Sequence, residues 1–279
     1  MRLHDHLLLF SLVSITSCHH LLVVHNQGAK SHLIQIKPVI EELLERGHTV
    51  SSIIFDSVNI MHKNYKEIVI PNDMDKIWGD MSKMFMKKGG TSMLDPALWW
   101  WGYTRYSERM EGMSLDMLRA EEVQKMIRDR TKIDAVITMM PENAIFADIF
   151  DCPLIAFSPA SPLPFMMRGS TNIINHSIHP FLMAPAIEPM TFTQRISNHL
   201  MFNMADSFMT WKMNLMFEHQ QKFLQAELGL DVAHPSVTTK QKFSVILACS
   251  HVVTHGAWQY LPNVIQVRKD TLCFCGHFS

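Results

Sequence analysis

The chain has 279 residues, 47% hydrophobic and 18% charged, which is enough to bury the core of one large domain or two small ones. Its formal net charge is −1 at pH 7 and no long basic run occurs, which argues against nucleic acid as a partner. Beyond the amino terminus, no apolar run reaches the roughly 20 residues that a transmembrane helix needs. We therefore expect a globular chain that carries no membrane anchor.

Residues 1–18 have the features of a secretory signal peptide: a basic residue at Arg2, an apolar stretch over 7–13, and small residues over 14–18. A buried first strand is the alternative interpretation, but a second strand-like run follows at once and favours the signal. Asn175-His176-Ser177 is an N-glycosylation sequon, which agrees with a lumenal chain. These features predict the endoplasmic reticulum lumen or the secretory pathway.

A strand–loop–helix unit follows the predicted signal peptide. Residues 21–25 form a short apolar run, and apolar residues at helical spacing predict a helix over 31–46. We expect Ser31 to cap the start of this helix and Gly47 to end it. His32 is thereby placed in the first helical turn at the carboxyl end of a strand, where ligands bind in α/β sheets.

Strand and helix patterns alternate along much of the remaining chain. Strands are predicted over 49–55, 65–70, 133–139, 153–157 and 243–250, with an extended segment over 263–267. Helices are predicted over 73–86, 115–128, 142–150 and 192–228. Residues 158–189 are rich in proline, serine and methionine and predict a long irregular excursion. The alternation predicts an α/β fold, a Rossmann-like parallel sheet with helices on both faces.

Metal and phosphate sites have little support in the sequence. The five cysteines do not form a disulfide framework. Cys273, Cys275 and His277 crowd into five positions and match no zinc-ligand spacing, so we expect no metal site. The first loop has only Gly28 instead of a G-x-G-x-x-G motif, which argues against the remaining alternative of an unrelated nucleotide-binding domain.

Several stretches carry a resemblance when their order and spacing are taken together. They are Lys30-Ser31-His32 with the helix end at 45–50, the pair 133–137 and 152–155, the Met-Thr-Phe segment at 189–195, and the segments 243–251 and 261–265. The chain resembles the N-terminal half of animal UDP-glucuronosyltransferases and UDP-glucosyltransferases, in glycosyltransferase family 1. The resemblance covers about residues 20–267.

This resemblance implies the N-terminal domain of a GT-B fold, which binds the acceptor and here occupies residues 19–267. The UDP-sugar domain would follow but is absent from the sequence, and residues 268–279 have no family character. The implied reaction is inverting transfer of a hexosyl or glucuronosyl group from a UDP-sugar to a hydroxyl of a small lipophilic acceptor. We expect this chain alone to be inactive.

The resemblance also implies roles for individual residues. His32 matches the family's catalytic histidine, a general base that takes the acceptor proton. The alternative is a structural role, in which His32 is simply hydrogen-bonded at the start of the helix. An aspartate partner is expected at the end of the strand over 135–139, but residues 137–141 contain no carboxylate. Glu142 is the nearest acidic residue and stands as a substitute, whereas Asp134 is expected to be structural.

Further residues correspond to the family's variable acceptor-binding segments. They are Ser31, Trp99, Trp101, Phe157, Ser158 and Phe165. For the tryptophans, anchoring a helix in the core is an equal alternative. No cofactor is implied, because the UDP-sugar is a co-substrate that binds only if a donor domain is supplied. The second functional reading is a non-catalytic truncated isoform, a binding or regulatory partner that forms oligomers with full-length family members.

Overall fold

A computed structural model describes most of the chain. The described residues are 18–25, 30–73, 76–77, 79–80, 83, 96–159, 162, 164–172, 174–179, 189–232, 243–249 and 260–267. Residues 1–17 of the predicted signal peptide, the loop containing Gly28 and the carboxyl-terminal segment 268–279 lie outside them.

The described residues form one seven-stranded, fully parallel sheet. Its strands are β1 His20–His25, β2 Thr49–Ile54, β3 Tyr65–Val69, β4 Ala135–Thr138, β5 Leu154–Ser158, β6 Phe243–Ala248 and β7 Val264–Gln266. Their order across the sheet is β3-β2-β1-β4-β5-β6-β7. The α/β Rossmann-like fold predicted from the sequence is confirmed.

Helices connect these strands. They are α1 Lys30–Glu45, α2 Pro96–Arg119, α3 Glu121–Arg128, α4 Ile145–Ile149, α5 Pro164–Gly169 and α6 Phe192–Leu228, with a 3₁₀ turn at Pro141–Ala144. The described residues do not include a helix that is both long and apolar enough to cross a membrane.

Two helix predictions and one loop prediction need correction. The segment predicted as one helix over 115–128 is the end of the longer α2 followed by α3, because the non-helical backbone of Ala120 (φ −59°, ψ 129°) separates them. The helix predicted over 142–150 begins as a 3₁₀ turn with Pro141 at its start, where a missing backbone N–H costs nothing. The excursion over 158–189 contains the short helix α5 and is not wholly irregular.

The two ends of α1 differ in how well the sequence anticipates them. Ser31 is not the N-cap, because the helix already begins at Lys30 and Ser31 lies within its first turn. Gly47 does end the helix, in the left-handed conformation with φ +86°. The Gly47 and His48 amides donate to the carbonyls of Leu44 and Leu43, both at 3.0 Å, which is a Schellman motif.

Each face of the sheet has its own apolar core. On one face, called here the α1 face, Ile36 and Ile40 of α1 pack with Val23 of β1 and Ile137 of β4. The opposite face, called here the α6 face, packs Leu22, Val24 and Val136 with α2, α3, α4 and α6. Because successive side chains along a strand point to opposite faces, one strand can contribute residues to both cores.

The strand order creates one topological switch point. β1 and β4 are hydrogen-bonded neighbours, with Val24 beside Thr138, although more than a hundred residues separate them. The chain leaves β1 toward the α1 face and leaves β4 toward the α6 face. Open parallel sheets bind ligands in the crevice that such divergence opens at the carboxyl ends of the strands.

Candidate functional site

Two histidines meet at this crevice. His25 is the last residue of β1, and His32 lies in the first turn of α1. Their ring centroids are 6.1 Å apart and their planes are inclined by 66°. Phe55, which directly follows β2, lies on the other side of His25 with a ring-centroid distance of 6.0 Å. The sheet edge thus brings the predicted base His32 beside a second imidazole.

His25 is a neutral residue in this site. Its side chain is only 3% exposed, and burial, followed by the neighbouring His32, lowers its pKa to about 3. Its Nε2 atom has no hydrogen-bond partner among the described residues. A neutral ring at this position packs against His32 without supplying a negative charge.

His32 is half-buried, and this burial lowers its pKa below the ordinary value for histidine. Its place at a helix start acts in the same direction, because the positive end of the helix dipole disfavours an imidazolium. Near neutral pH the ring is therefore uncharged and keeps a nitrogen lone pair. That is the protonation state that a general base needs.

A neutral polar turn follows β4, where the resemblance leads one to expect a carboxylate. Asn143 donates from Nδ2 to Thr138 Oγ1 at 2.9 Å and, more weakly, to the Val24 carbonyl at 3.4 Å. The Met140 amide also donates to Thr138 Oγ1, at 3.2 Å. These bonds tie the end of β4 to β1 with amide and hydroxyl groups.

Glu142 lies in the layer between this turn and α6. Its side chain is 1% exposed, and its backbone carbonyl accepts a hydrogen bond from Gln220 Nε2 at 3.1 Å. Burial raises its pKa to about 8, so the carboxyl is mostly protonated at neutral pH. The contacts recorded for the described residues include none between Glu142 and His32. The geometry accordingly gives no support to Glu142 as the partner of His32.

The residues expected to bind the acceptor differ in their exposure to solvent. Ser31 is exposed beside His32, whereas Phe157 is buried in the apolar core of the α1 face. Ser158 is buried too, and its carbonyl accepts from the Cys249 amide at 2.8 Å. Trp99 and Trp101 lie on α2 and Phe165 on α5, with their side chains outside the described set.

Asp134 lies at the opposite, amino edge of the sheet. Its Oδ2 accepts from the His20 amide at 2.8 Å, and its Oδ1 is 3.4 Å from Lys132 Nζ. These contacts join the starts of β1 and β4. The structural role expected for Asp134 matches this placement.

A small, mostly apolar depression lies at the carboxyl ends of β2 and β3, and its cavity volume of about 10 Å³ is room for about one water molecule. Its lining comprises Ile54, Phe55, Ile70, Pro71, Asn72, Met113, Asp116 and Met117. Phe55 belongs both to this lining and to the ring contact with His25. Among the described residues, the lining includes neither His25 nor His32.

His25 and Phe55 are not predicted as site residues from the sequence. Strand alternation is the signal that could find His25, because it is two residues beyond Val23 and shares the face on which α1 packs. Phe55 is predicted only as the end of a strand, and its proximity to His25 depends on β1 and β2 being paired in register.

Comparisons with known proteins identify the family of this chain. The family model described as UDP-glucoronosyl and UDP-glucosyl transferase matches residues 19–273. UDP-glycosyltransferase UGT5 of Dactylopius coccus is 23% identical over 270 residues, which are 94% of this chain and 49% of that protein. Human UDP-glucuronosyltransferase 2B7 is 24% identical over 189 residues, 60% of this chain and 34% of that protein.

The chain thus spans half or less of the length of these curated relatives. A solved structure titled as the glycotransferase of kitacinnamycin is 14% identical and has a TM-score of 0.37, with 83% of this chain and 46% of that chain covered. Since the family model spans most of the sequence, the chain belongs to the UDP-glucoronosyl and UDP-glucosyl transferase family.

Proposed function

We propose that this chain is the acceptor-binding half of a UDP-glycosyltransferase and that His32 is its general base. The observation that carries the proposal is the neutral, half-buried His32 at the switch-point crevice. His32 lies at the carboxyl edge of the parallel sheet, where open α/β sheets bind their ligands, and we assign the small lipophilic acceptor to this edge. The domain that binds the UDP-sugar would be supplied by chain beyond this half or by a partner.

In the proposed reaction, a ring nitrogen of His32 takes the proton of the acceptor hydroxyl. The acceptor oxygen attacks the anomeric carbon of a hexosyl or glucuronosyl group, and the bond from that carbon to the diphosphate breaks. UDP leaves with the bonding electrons, and the configuration at the anomeric carbon inverts. A positioned base of this kind contributes about 10²–10⁴-fold to the rate.

A specific observation favours a second candidate, a non-catalytic binding or regulatory partner of full-length family members. Residues 137–141, where the resemblance places the family's aspartate, contain no carboxylate, and burial raises the pKa of the Glu142 carboxyl that follows them to about 8. Without that aspartate, an imidazolium formed by proton transfer loses one source of stabilisation. Acceptor binding would survive this loss, whereas turnover would suffer.

The test joins residues 1–267 to the carboxyl-terminal half of UGT5 from Dactylopius coccus. UDP release and glycoside formation are measured with a panel of phenols, and binding of UDP to the chimera confirms a folded donor half. We expect transfer, and we expect His32→Gln to lower kcat/KM by about 10²–10⁴-fold with acceptor binding retained. His62→Gln is the matched control, because His62 is exposed in the loop before β3.

The two candidates give different results. Phenol binding by a chimera that binds UDP but transfers no sugar would favour the non-catalytic partner. Equal activity of His32→Gln and His62→Gln would remove His32 as the base. A fall in activity for Glu142→Gln comparable to that for His32→Gln would restore Glu142 as a catalytic residue.

We also propose that the chain enters the secretory pathway, on the basis of the signal-like pattern in residues 1–18.

A further inference from the structure

The segment over 174–179 presents alternate side chains to solvent. Asn175 and Ser177 are exposed, whereas His176 turns inward between them. The His176 ring stacks on Phe202 of α6, with centroids 4.3 Å apart and planes within 5° of parallel. The middle residue of this tripeptide therefore holds the segment, and the two outer residues face away from the protein.

α6 fixes the backbone that follows Asn175. Asn198 Nδ2 donates to the carbonyl of His176 at 2.6 Å and to the carbonyl of His179 at 2.9 Å. His176 Nδ1 also lies 3.2 Å from Nδ1 of His199, the next residue of α6. A bulky group attached at Asn175 would thus project from an anchored segment without displacing these contacts.

Asn175 itself forms a local turn. Its Oδ1 accepts a hydrogen bond from the Ser177 amide at 3.0 Å, and its carbonyl accepts from the amides of Ile178 and His179. No recorded contact among the described residues involves Asn175 Nδ2. Because the turn joins residues only two positions apart, it needs no tertiary structure and can form in an emerging chain.

We propose that Asn175 is a site of N-linked glycosylation, presented by the Asn175–Ser177 turn on the outer surface of the segment held by α6. The modification goes beyond the proposed sugar-transfer activity and rests only on entry into the secretory pathway. It fits the sequon requirement of Asn-x-Ser with x other than proline, because His176 is the middle residue.

The chemistry uses an oligosaccharide linked to a polyprenyl diphosphate and the transferase of the host membrane. A bond forms between Asn175 Nδ2 and the anomeric carbon of the first sugar, and the bond from that carbon to the diphosphate oxygen breaks. The lipid diphosphate leaves with the bonding electrons, and the amide nitrogen gives up one proton. No oxidant or metal of this chain takes part.

The sequence makes the readout binary. Asn175 is the one asparagine of the chain that is followed two positions later by serine or threonine. The chain can therefore carry either one N-linked glycan or none. Each variant runs at one of two positions on the gel.

The experiment translates the full chain in vitro with and without microsomal membranes. Mobility on denaturing gels is measured before and after N-glycosidase treatment, and protection from added protease reports translocation. We expect one membrane-dependent, N-glycosidase-sensitive step for the wild-type chain. The step should persist in Ser177→Thr, which keeps the hydroxyl, and vanish in Asn175→Gln and Ser177→Ala.

Three outcomes would overturn the proposal. The first is a protease-protected chain without a mobility step, and the second is a step that persists in Asn175→Gln. The third is a chain that is never protected, because Asn175 would then never reach the transferase. None of these results depends on sugar transfer by the chain, so they leave the proposed function to its own test.

Discussion

Burial sets the chemistry of the two histidines at the crevice. His25 stays uncharged because its ring is removed from water, and its neighbour His32 is also shielded. A carboxylate about 4 Å from an imidazolium would stabilise it by about 4 kcal/mol at an effective dielectric constant of 20. A neutral imidazole such as that of His25 provides no such attraction. Burial lowers the pKa of His32, so its ring keeps a nitrogen lone pair at neutral pH.

Glu142 provides a prediction at the residue scale, because its protonation is linked to folding. Its pKa is about 8 in the folded chain against an ordinary value of 4.5, since burial disfavours the carboxylate. Between pH 4.5 and pH 8 the folded state therefore holds a proton that the unfolded state has lost. Proton binding by Glu142 contributes its full amount to the free energy of unfolding below pH 4.5. This contribution is lost as the pH rises toward 8, by about 1.4 kcal/mol per pH unit.

Glu142→Gln removes this titration while keeping the shape and polarity of the side chain. We expect the variant to gain stability relative to wild type as the pH rises from 5 to 8, measured as the free energy of urea unfolding. Glu45→Gln, at an exposed position of α1, serves as the control for replacing a glutamate at the surface. Parallel pH profiles for Glu142→Gln and wild type would contradict a buried, protonated Glu142.

At the scale of elements, the end of α1 determines how the chain returns to the sheet. The Schellman motif at Gly47 turns the chain directly into β2, so that α1 stays packed on the α1 face. Gly47 adopts φ +86°, which is costly for any residue with a Cβ atom. The same turn holds the helix whose first turn contains His32.

Gly47→Ala should lower the free energy of unfolding by about 1–2 kcal/mol. The cost is conformational, because among the described residues an added Cβ would meet just Cys18 Sγ, at 3.8 Å. Gly112→Ala is the matched control: Gly112 is inside α2, and within the described part of the chain its added Cβ would meet just the end of the Arg109 side chain, at 3.6 Å. That variant should be about 0.5–1 kcal/mol more stable than wild type.

Urea denaturation of the three proteins would measure both changes. If the Gly47 and Gly112 variants shift stability in the same direction, the left-handed turn at the end of α1 is not what makes Gly47 necessary.

At the scale of the whole molecule, the two edges of the sheet have different characters. The carboxyl edge carries the histidine pair, the Thr138–Asn143 turn and the apolar depression. The amino edge is closed by Asp134, which bridges the starts of β1 and β4. A ligand that uses the crevice should therefore affect one edge only.

Hydrogen exchange measured by mass spectrometry tests this asymmetry. A lipophilic phenol bound to the chain should slow exchange in peptides covering 30–36, 54–58 and 139–145, which lie at the carboxyl edge. Peptides covering 60–64 and 129–134, at the amino edge, should be unchanged. Slower exchange confined to the amino edge would contradict the proposed acceptor site.

The sequence by itself determined the strands, the helices α1 and α6, the turn at Gly47 and the position of His32 at a helix start. Each of these depends on residues within one or two turns, which periodicity and capping chemistry report directly. Only the tertiary structure decided which groups meet His32. The pairing of β1 with β4 and the alternation of faces bring His25 to His32 and leave Glu142 beside Gln220. Burial then decided the protonation states of His25 and Glu142. Residues distant in the chain remove water from both side chains, which lowers the pKa of His25 and raises the pKa of Glu142.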